Sequence, residues 1–270
     1  MPIGTERIVT FIEEFAPPAR QEPWDNTGWQ INLCSGDISK VLVALEVTSE
    51  VIAEAKEVGA ELILTHHPLL FSPVKVIDKN TVKGRYIAEL IKCGISVYSA
   101  HTSFDSAQYG MNDTLAELMG LINVSPYPPI GNGNAWEQTS QIMRVGELES
   151  PTKFGDIIKI AETAFDMQRR LKVVGDPDRL IKRVAVCGGG GGDFIESMLG
   201  SEIDLYITSD VKHHEAQFAR EGGLALIDGG HNGTEKHFVQ VVSERLIHEF
   251  GDDITIIETS HSADPFTLLK

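Results

Sequence analysis

Several features that mark common protein classes are scarce or missing in this sequence. Its cysteines, Cys34, Cys93 and Cys187, are widely spaced, which excludes a disulfide framework and a CxxC zinc pattern. There is no GxSxG element and no cysteine in an activated setting, so covalent catalysis is disfavoured. No segment reaches the length of a membrane span, and residues 5–15 have helical spacing rather than a signal-peptide pattern. We therefore expect a cytoplasmic protein without a membrane segment.

Basic residues are also scarce. The 23 Lys and Arg face 39 Asp and Glu, and the net charge of -16 argues against direct nucleic-acid binding. A small anion held by a metal ion stays compatible with this charge, because the ion inverts the local field. The 270 residues, 42% of them hydrophobic, suffice for a large core.

What the sequence does contain is an alternation of apolar strands with amphipathic helices. Strands are predicted at 40–47, 61–65 and 95–100, and again at 184–187, 203–208, 224–228 and 254–258. Between the first two, Thr48 or Ser49 can cap a helix that Gly59 ends. Strands that alternate with helices throughout predict an α/β fold.

The chain also divides into two similar halves. Residues 125–138 have the composition of a boundary or long loop, and LILTHH and SAHTSFD before it resemble YITSDVKHH and IDGGHNGTE after it. We expect a first α/β lobe at 1–125, a second at 126–230, and a C-terminal segment at 231–270 that brings His231 and Glu235 to a shared site. An internal duplication is a hypothesis that fits this pattern.

Seven of the nine histidines lie in four short segments at or near predicted strand ends. They are His66, His67, His101, His213, His214, His231 and His237. Loops at the carboxyl ends of strands converge in open α/β sheets, so these segments can meet. We interpret His237, and the isolated His248 and His261, as ordinary hydrogen-bonding residues. Acids lie at useful spacing, since Asp105 follows His101 by four and Glu235 follows His231 by four.

The adjacent pair His66 and His67 raises a geometric question. Neighbouring side chains on an extended chain diverge, and Pro68 favours extended geometry at His67. The pair then suits one ligand for each of two metal ions, or alternatively one ligand and one wall residue. If residues 231–235 begin a helix, His231 and Glu235 share a face. Imidazole with carboxylate suits zinc, iron, manganese or nickel.

The glycine run Gly188–Gly192 has two interpretations. It lies between a predicted strand and helix, where backbone N–H groups can bind phosphate. It fits neither GxGxxG nor GxxxxGK, and close backbone packing explains it equally well.

A set of motifs in fixed order resembles one known family. The motifs are WDNTGWQ, LILTHHPLLF, SAHTSFDSAQYGMND, VAVCGGGGGD, ITSDVKHHEA, DGGHNGTE and the terminal DPF. Together they resemble the short form of the Nif-three-like (YbgI-type) family, also called GTP cyclohydrolase I type 2 homologues, over Thr5 to Phe266.

The resemblance implies two interlinked α/β lobes, a dinuclear metal site in the cleft between them, and a ring-shaped homohexamer. Carried onto matching positions, the implied metal ligands are His66, His67, Asp105, His231 and Glu235, with Glu235 bridging two divalent ions. It also implies that His101, His213 and His214 line the cleft as supporting or proton-transfer groups. Three positions depart from the family pattern: Trp29, Ser209, and Asn232, which stands where tyrosine is common.

Two functions remain open at this point. The first is a metal-dependent hydrolase that acts on GTP or another nucleotide, phosphoester or amide. The second is a non-catalytic metal-binding or regulatory interaction protein. The additional histidines His101, His213 and His214 favour the enzyme, because metal storage does not need them.

Overall fold

The structure, a computed structural model, describes residues 2–34, 36–127, 142–167 and 170–267. The chain divides into two compact units. The first unit contains residues 1–104 and 236–270, and the second unit contains residues 105–235. Helices alternate with strands in both, which confirms the predicted α/β class.

The bounds of the elements, within the described residues, are as follows. The strands are β1 (Ile3–Gly4), β2 (Gly28–Ile31), β3 (Asp37–Ile38), β4 (Lys40–Ala44), β5 (Leu62–Thr65), β6 (Ser96–Ser99), β7 (Ile122–Pro126), β8 (Arg144–Lys153), β9 (Lys172–Val174), β10 (Leu180–Val186), β11 (Leu205–Thr208), β12 (Ala225–Asp228) and β13 (Thr255–Glu258). The helices are α1 (Thr5–Phe15), α2 (Ser49–Val58), α3 (Val82–Cys93), α4 (Thr102–Asp105), α5 (Met111–Leu118), α6 (Phe154–Ala164), α7 (Ile195–Met198), α8 (His213–Glu221), α9 (His231–Glu235) and α10 (His237–Phe250).

The first unit is built on a sheet with strand order β13-β4-β5-β6-β2. Strands β13, β4, β5 and β6 are parallel, and β2 pairs antiparallel with β6. Ile52 of α2 and Leu90 of α3 share one hydrophobic core with Ile63 and Val97 of the sheet. The parallel strands therefore end together, with their carboxyl-end loops at one edge.

Helix α2 is bounded as its sequence predicts. Thr48 is the N-cap, and its hydroxyl oxygen accepts a hydrogen bond from the N–H of Val51 at 3.2 Å. Gly59 ends the helix in the left-handed conformation with φ 71°, which glycine adopts without steric cost.

The second unit has strand order β7-β8-β10-β11-β12-β9. Its centre, β10-β11-β12, is parallel, while β7, β8 and β9 pair antiparallel. Phe154 and Ile157 of α6 and Leu115 of α5 lie in a hydrophobic core with Val184 and Ile207. The two units thus share a set of three parallel strands, β4-β5-β6 in the first and β10-β11-β12 in the second. An antiparallel strand, β2 or β9, pairs with the third strand of each set.

The same hydrogen-bond pattern recurs between β4 and β5 in the first unit and between β10 and β11 in the second. The Glu61 carboxylate accepts the N–H groups of Ser39 and Lys40 at 2.8 and 2.9 Å. In the second unit, Asp204 accepts those of Lys182 and Arg183 at 3.0 and 2.9 Å. Glu61 directly precedes β5 and Asp204 directly precedes β11, the second strand of each set of three. This recurrence supports the duplication hypothesis at the level of individual hydrogen bonds.

The division between the units differs from the boundaries expected near residues 125 and 230. Helix α5 belongs to the second unit because Leu115 packs in that unit's core, and β7 pairs with β8. The last segment, 236–270, belongs to the first unit because β13 pairs with β4. The chain thus leaves the first unit after Phe104 and returns at Lys236.

Smaller differences concern the loops and one cap. Residues 28–31 form β2 through pairing with β6, and residues 144–153 form β8; neither is among the predicted strands. Gly4 is the N-cap of α1, and Thr5 is the first helical residue and donates its hydroxyl to the Gly36 carbonyl at 3.0 Å. Of the predicted loop 125–138, the first two residues lie in β7, and positions 128–138 lie outside the described residues.

No helix in the described ranges is long and apolar enough to cross a membrane.

We expect Asp204→Ala to lower the free energy of unfolding by about 1–3 kcal/mol, because it leaves two strand N–H groups without their charged acceptor. Urea denaturation followed by circular dichroism measures this difference. The matched control is Glu202→Ala: that carboxylate is 86% exposed and pairs with Arg183 at 3.3 Å, so its removal should cost less than about 0.5 kcal/mol. Equal losses in the two variants would contradict the proposed role of Asp204.

Candidate metal centre

Three imidazoles meet at the carboxyl ends of neighbouring parallel strands in the first unit. His66 and His67 follow β5, and His101 follows β6. Each offers a ligand atom within 4.8 Å of those of the other two. The ring centroid of His66 lies 5.1 Å from that of His67 and 5.1 Å from that of His101. The predicted convergence of these two histidine segments is confirmed, and three imidazoles are a ligand set suited to a divalent metal ion.

The HHP segment does not follow the extended geometry expected for it. Residues 66 and 67 form a bend, in which both backbone N–H groups donate to the carbonyl of Leu45, at 3.1 and 2.9 Å. The two rings are tilted by 43° and stay in one group. Strand pairing has therefore ended at Thr65, and the rule that neighbouring side chains point to opposite faces no longer applies.

The tautomer of His66 follows from its partner. The ring is fully buried, and Nδ1 lies 2.9 Å from the carbonyl oxygen of Ala100. A carbonyl oxygen only accepts, so Nδ1 carries the hydrogen and the lone pair lies on Nε2. The ring is thus held in the form in which Nε2 can bind a metal ion.

Asp25 orients His101 in the same way. Its carboxylate, with a side chain that is 0% exposed, lies 2.7 Å from Nδ1 of His101, and it accepts hydrogen bonds from the N–H of Thr102 and the hydroxyl of Thr27, both at 3.0 Å. Burial raises the pKa of Asp25, but hydrogen bonds from His101, Thr102 and the Asn26 backbone, with the attraction of His101, hold that pKa far below its ordinary range. The ionised carboxylate only accepts, so in the neutral ring of His101 the lone pair lies on Nε2.

The second unit carries a matching arrangement at the end of β12. The predicted helical start is confirmed as α9, which places His231 and Glu235 one turn apart. Nε2 of His231 lies 3.0 Å from the buried carboxylate of Glu235, and Nδ1 lies 2.6 Å from that of Asp210. The imidazole is therefore bracketed by two carboxylates.

These carboxylates change the acidity of His231. Burial lowers its pKa, but hydrogen bonds to Glu235 and Asp210 and the attraction of both carboxylates raise it to about 10 from an ordinary 6.5. Without a metal ion the ring holds a proton between two acids at neutral pH. A metal ion bound at this nitrogen must displace that proton, so binding is coupled to pH.

The glycine run is explained by close packing around these acids. A Cβ at Gly189 would collide with Oε1 of Glu235, and one at Gly192 with Oε2 of Glu215. Gly189 also has φ +65°, a conformation that side chains rarely adopt. Of the two interpretations of this run, the structure favours backbone packing, which lets the Glu235 carboxylate occupy its position.

The remaining predicted site residues have different surroundings. Asp105 is buried at the end of α4, and its carbonyl oxygen accepts from the side-chain amide of Asn112 at 3.3 Å. His213 and His214 are exposed in the first turn of α8, and the centroid of the His214 ring lies 6.1 Å from that of Phe218. Their roles as ligand or proton-transfer groups stay predictions.

Asp25 and Asp210 were not singled out as site residues from the sequence. Asp25 lies in a Pro- and Asn-rich loop, and Asp210 follows β11 in the loop before α8. The available signal was the rule that metal-binding histidines donate their second nitrogen to an acid or carbonyl. It calls for such partners without saying where in the chain they lie.

A cavity of about 310 Å³ borders the first-unit group at His67. Its polar lining residues are Glu46, Lys83 and Tyr86, and its apolar lining comes from Val47, Pro68, Leu69 and Val82. It thus combines one charge of each sign with an apolar wall.

Comparisons with known proteins agree with this fold. The Duf34/NIF3 (NGG1p interacting factor 3) family matches residues 3–265. A Clostridium perfringens protein named GTP cyclohydrolase 1 type 2 homolog is 37% identical over 267 residues, which cover 97% of this chain and 98% of that protein. Among solved structures, reduced HcgD from Methanocaldococcus jannaschii is 30% identical with a TM-score of 0.81, covering 97% of this chain and 99% of that one. A Bacillus cereus protein related to NIF3 has a TM-score of 0.88 at 24% identity, covers 100% of both chains and shows the shared fold alone.

In chelator-treated protein we expect the His231 ring to stay protonated from pH 6.5 up to about 10, because two carboxylates stabilise the imidazolium. A pH titration of its ring resonances by NMR measures the midpoint. The stability that this proton contributes is complete below the ordinary pKa and is lost as the pH rises towards 10. Asp210→Asn should lower the midpoint. Asp193→Asn is the control and should leave the midpoint unchanged, because the Asp193 carboxylate pairs with Lys212. A midpoint near 6.5 in the unmodified protein would refute this account.

Proposed function

The chain belongs to the Duf34/NIF3 family, and from this premise we propose that it binds two divalent metal ions and is a metal-dependent hydrolase. The observation that carries the proposal is the group of His66, His67 and His101, in which His66 and His67 are proposed ligands and His101 is the proposed proton-transfer group beside them. Oxygen acceptors hold Nδ1 of His66 and of His101, so in the neutral rings the lone pair lies on Nε2, where it can bind a metal ion or accept a proton.

Both units would supply ligands to one dinuclear site in the cleft between two lobes. The proposed ligands are His66, His67, Asp105, His231 and Glu235, with Glu235 bridging. The course of the chain supports a shared site, because the first unit ends at Phe104, directly before Asp105, and resumes at Lys236, directly after Glu235. Imidazole and carboxylate fit zinc, iron, manganese or nickel.

In this proposal the chain's own groups move the proton. Divalent ions would supply Lewis acidity towards a substrate oxygen and activate water at neutral pH. His101 would accept and return a proton at Nε2 while Asp25 holds its Nδ1–H. The cavity beside His67 would hold the substrate, with Lys83 and Glu46 as its charged contacts.

The proposed substrates include more than the GTP that appears in the name of a relative. The Clostridium perfringens relative carries the name GTP cyclohydrolase 1 type 2 homolog, so GTP or a related nucleotide is the first substrate to test. Hydrolysis of a phosphoester or an amide needs the same groups. The ring-shaped homohexamer implied by the resemblance stays a prediction.

We expect Gly189→Ala to weaken zinc binding by about 10- to 100-fold, because the new Cβ displaces the Glu235 carboxylate. Isothermal titration calorimetry of the metal-free protein measures the affinity and the number of ions bound. The control is Gly200→Ala: Gly200 has φ +76° with no atom within 4 Å of a Cβ, so it has similar backbone strain without a collision. Equal weakening in both variants would overturn the role of Glu235 as a ligand. A single ion per chain in the unmodified protein would overturn the dinuclear proposal.

The hydrolase proposal predicts turnover of at least one member of a panel of nucleotides, phosphoesters and amides by protein loaded with zinc, manganese or iron. His101→Ala should lower kcat by at least about 100-fold with an unchanged metal content, since general acid–base groups contribute about 10²–10⁴-fold. His248→Ala, at an exposed position of α10, is the control and should keep full activity. Two ions per chain without turnover of any substrate would instead favour a non-catalytic metal-binding protein.

A further inference from the structure

Two large aromatic side chains lie half exposed beside His101. Trp24 is 55% exposed and Phe71 is 49% exposed. Their ring centroids lie 5.9 Å apart, and they lie 6.0 and 6.2 Å from the His101 ring. Aromatic rings of this size are usually buried, so two of them side by side at the surface call for an explanation.

Hydrogen bonds hold the two segments that carry these rings. The side-chain amide of Asn26 donates to the carbonyl of Leu70 at 3.0 Å, and the Leu70 N–H donates to Gln30 at 2.9 Å. Asp25, next to Trp24, is in turn bonded to His101. The rings are therefore positioned before any ligand binds, which reduces the entropy lost on binding.

The geometry of the pair leaves surface for a third ring. Trp24 and Phe71 meet at 62°, edge to face, so they do not stack on each other. Both also meet the His101 ring at steep angles, 72° and 86°. Trp24 and Phe71 are each about half exposed beside the imidazole that takes part in the proposed chemistry.

We propose that Trp24 and Phe71 form an aromatic platform that stacks a planar heteroaromatic ring of the substrate beside His101. The proposal rests on the proposed function for the role of His101, and it narrows the substrate class. A flat π system gains from stacking on exposed aromatic rings, whereas an aliphatic amide or a simple phosphoester offers no such face.

The test measures binding of four probes by saturation-transfer NMR and calorimetry. Hypoxanthine and uracil are the planar probes, and acetamide and glycerol phosphate are the non-planar ones. We expect only the planar probes to bind. Trp24→Ala or Phe71→Ala should weaken their binding about tenfold or more, as for bases stacked on aromatic side chains. Trp24→Phe should retain most of the affinity. Ile77→Ala removes an equally exposed apolar side chain, at 55%, and should change nothing.

Binding is measured with and without zinc, so that the two proposals fail separately. Planar probes that bind in a Trp24-dependent way to protein that takes up no zinc would support the platform and overturn the metal proposal. Equal binding of planar and non-planar probes, no binding of planar probes, or binding insensitive to both alanine variants would overturn the platform. If Trp24→Ala changes the number of chains in the assembly, measured by light scattering, and leaves probe binding unchanged, the platform is overturned in favour of a contact between copies.

Discussion

The buried carboxylate of Asp25 accepts the Nδ1–H of His101 at 2.7 Å, and the candidate centre of the first unit depends on this contact. It fixes the tautomer and the orientation of the ring, and it ties the loop before β2 to the start of α4. The Ala100 carbonyl does the same for His66, and Asp210 orients the ring of His231 in the second unit. Rings oriented in advance lose little freedom when they bind an ion, which strengthens binding.

The two units share a framework but not its loops. Glu61 and Asp204 hold the first and second parallel strands of their units together through equivalent pairs of N–H groups. The loop after the middle strand then differs, since it begins with His66 in one unit and with Ser209 in the other. A shared framework can therefore carry different chemistry, because functional groups on strand-end loops change without disturbing the sheet.

Local patterns predicted the strands and helices better than they predicted the partners of the site residues. Thr48, Gly59 and the buried parallel strands follow from capping and from runs of apolar residues, which act over a few positions. The acceptor of His101 lies 76 residues away and that of His231 lies 21 away, so no local periodicity marks either. No local pattern marks the crossing from the first unit after Phe104 either, because α5 joins the second unit through tertiary packing.

The glycine run links sequence composition to the chemistry of the site. Gly189 makes room for Glu235, and a Cβ at Gly191 would collide with the buried hydroxyl of Tyr206. Packing against side chains of the protein itself accounts for both glycines without a phosphate cradle. A nucleotide substrate would then have to be recognised by other means, namely bound metal ions for its phosphates and flat or polar contacts for its base. In the proposed function, recognition would therefore rest with the loops around His67 and His101 rather than with a glycine-rich phosphate loop.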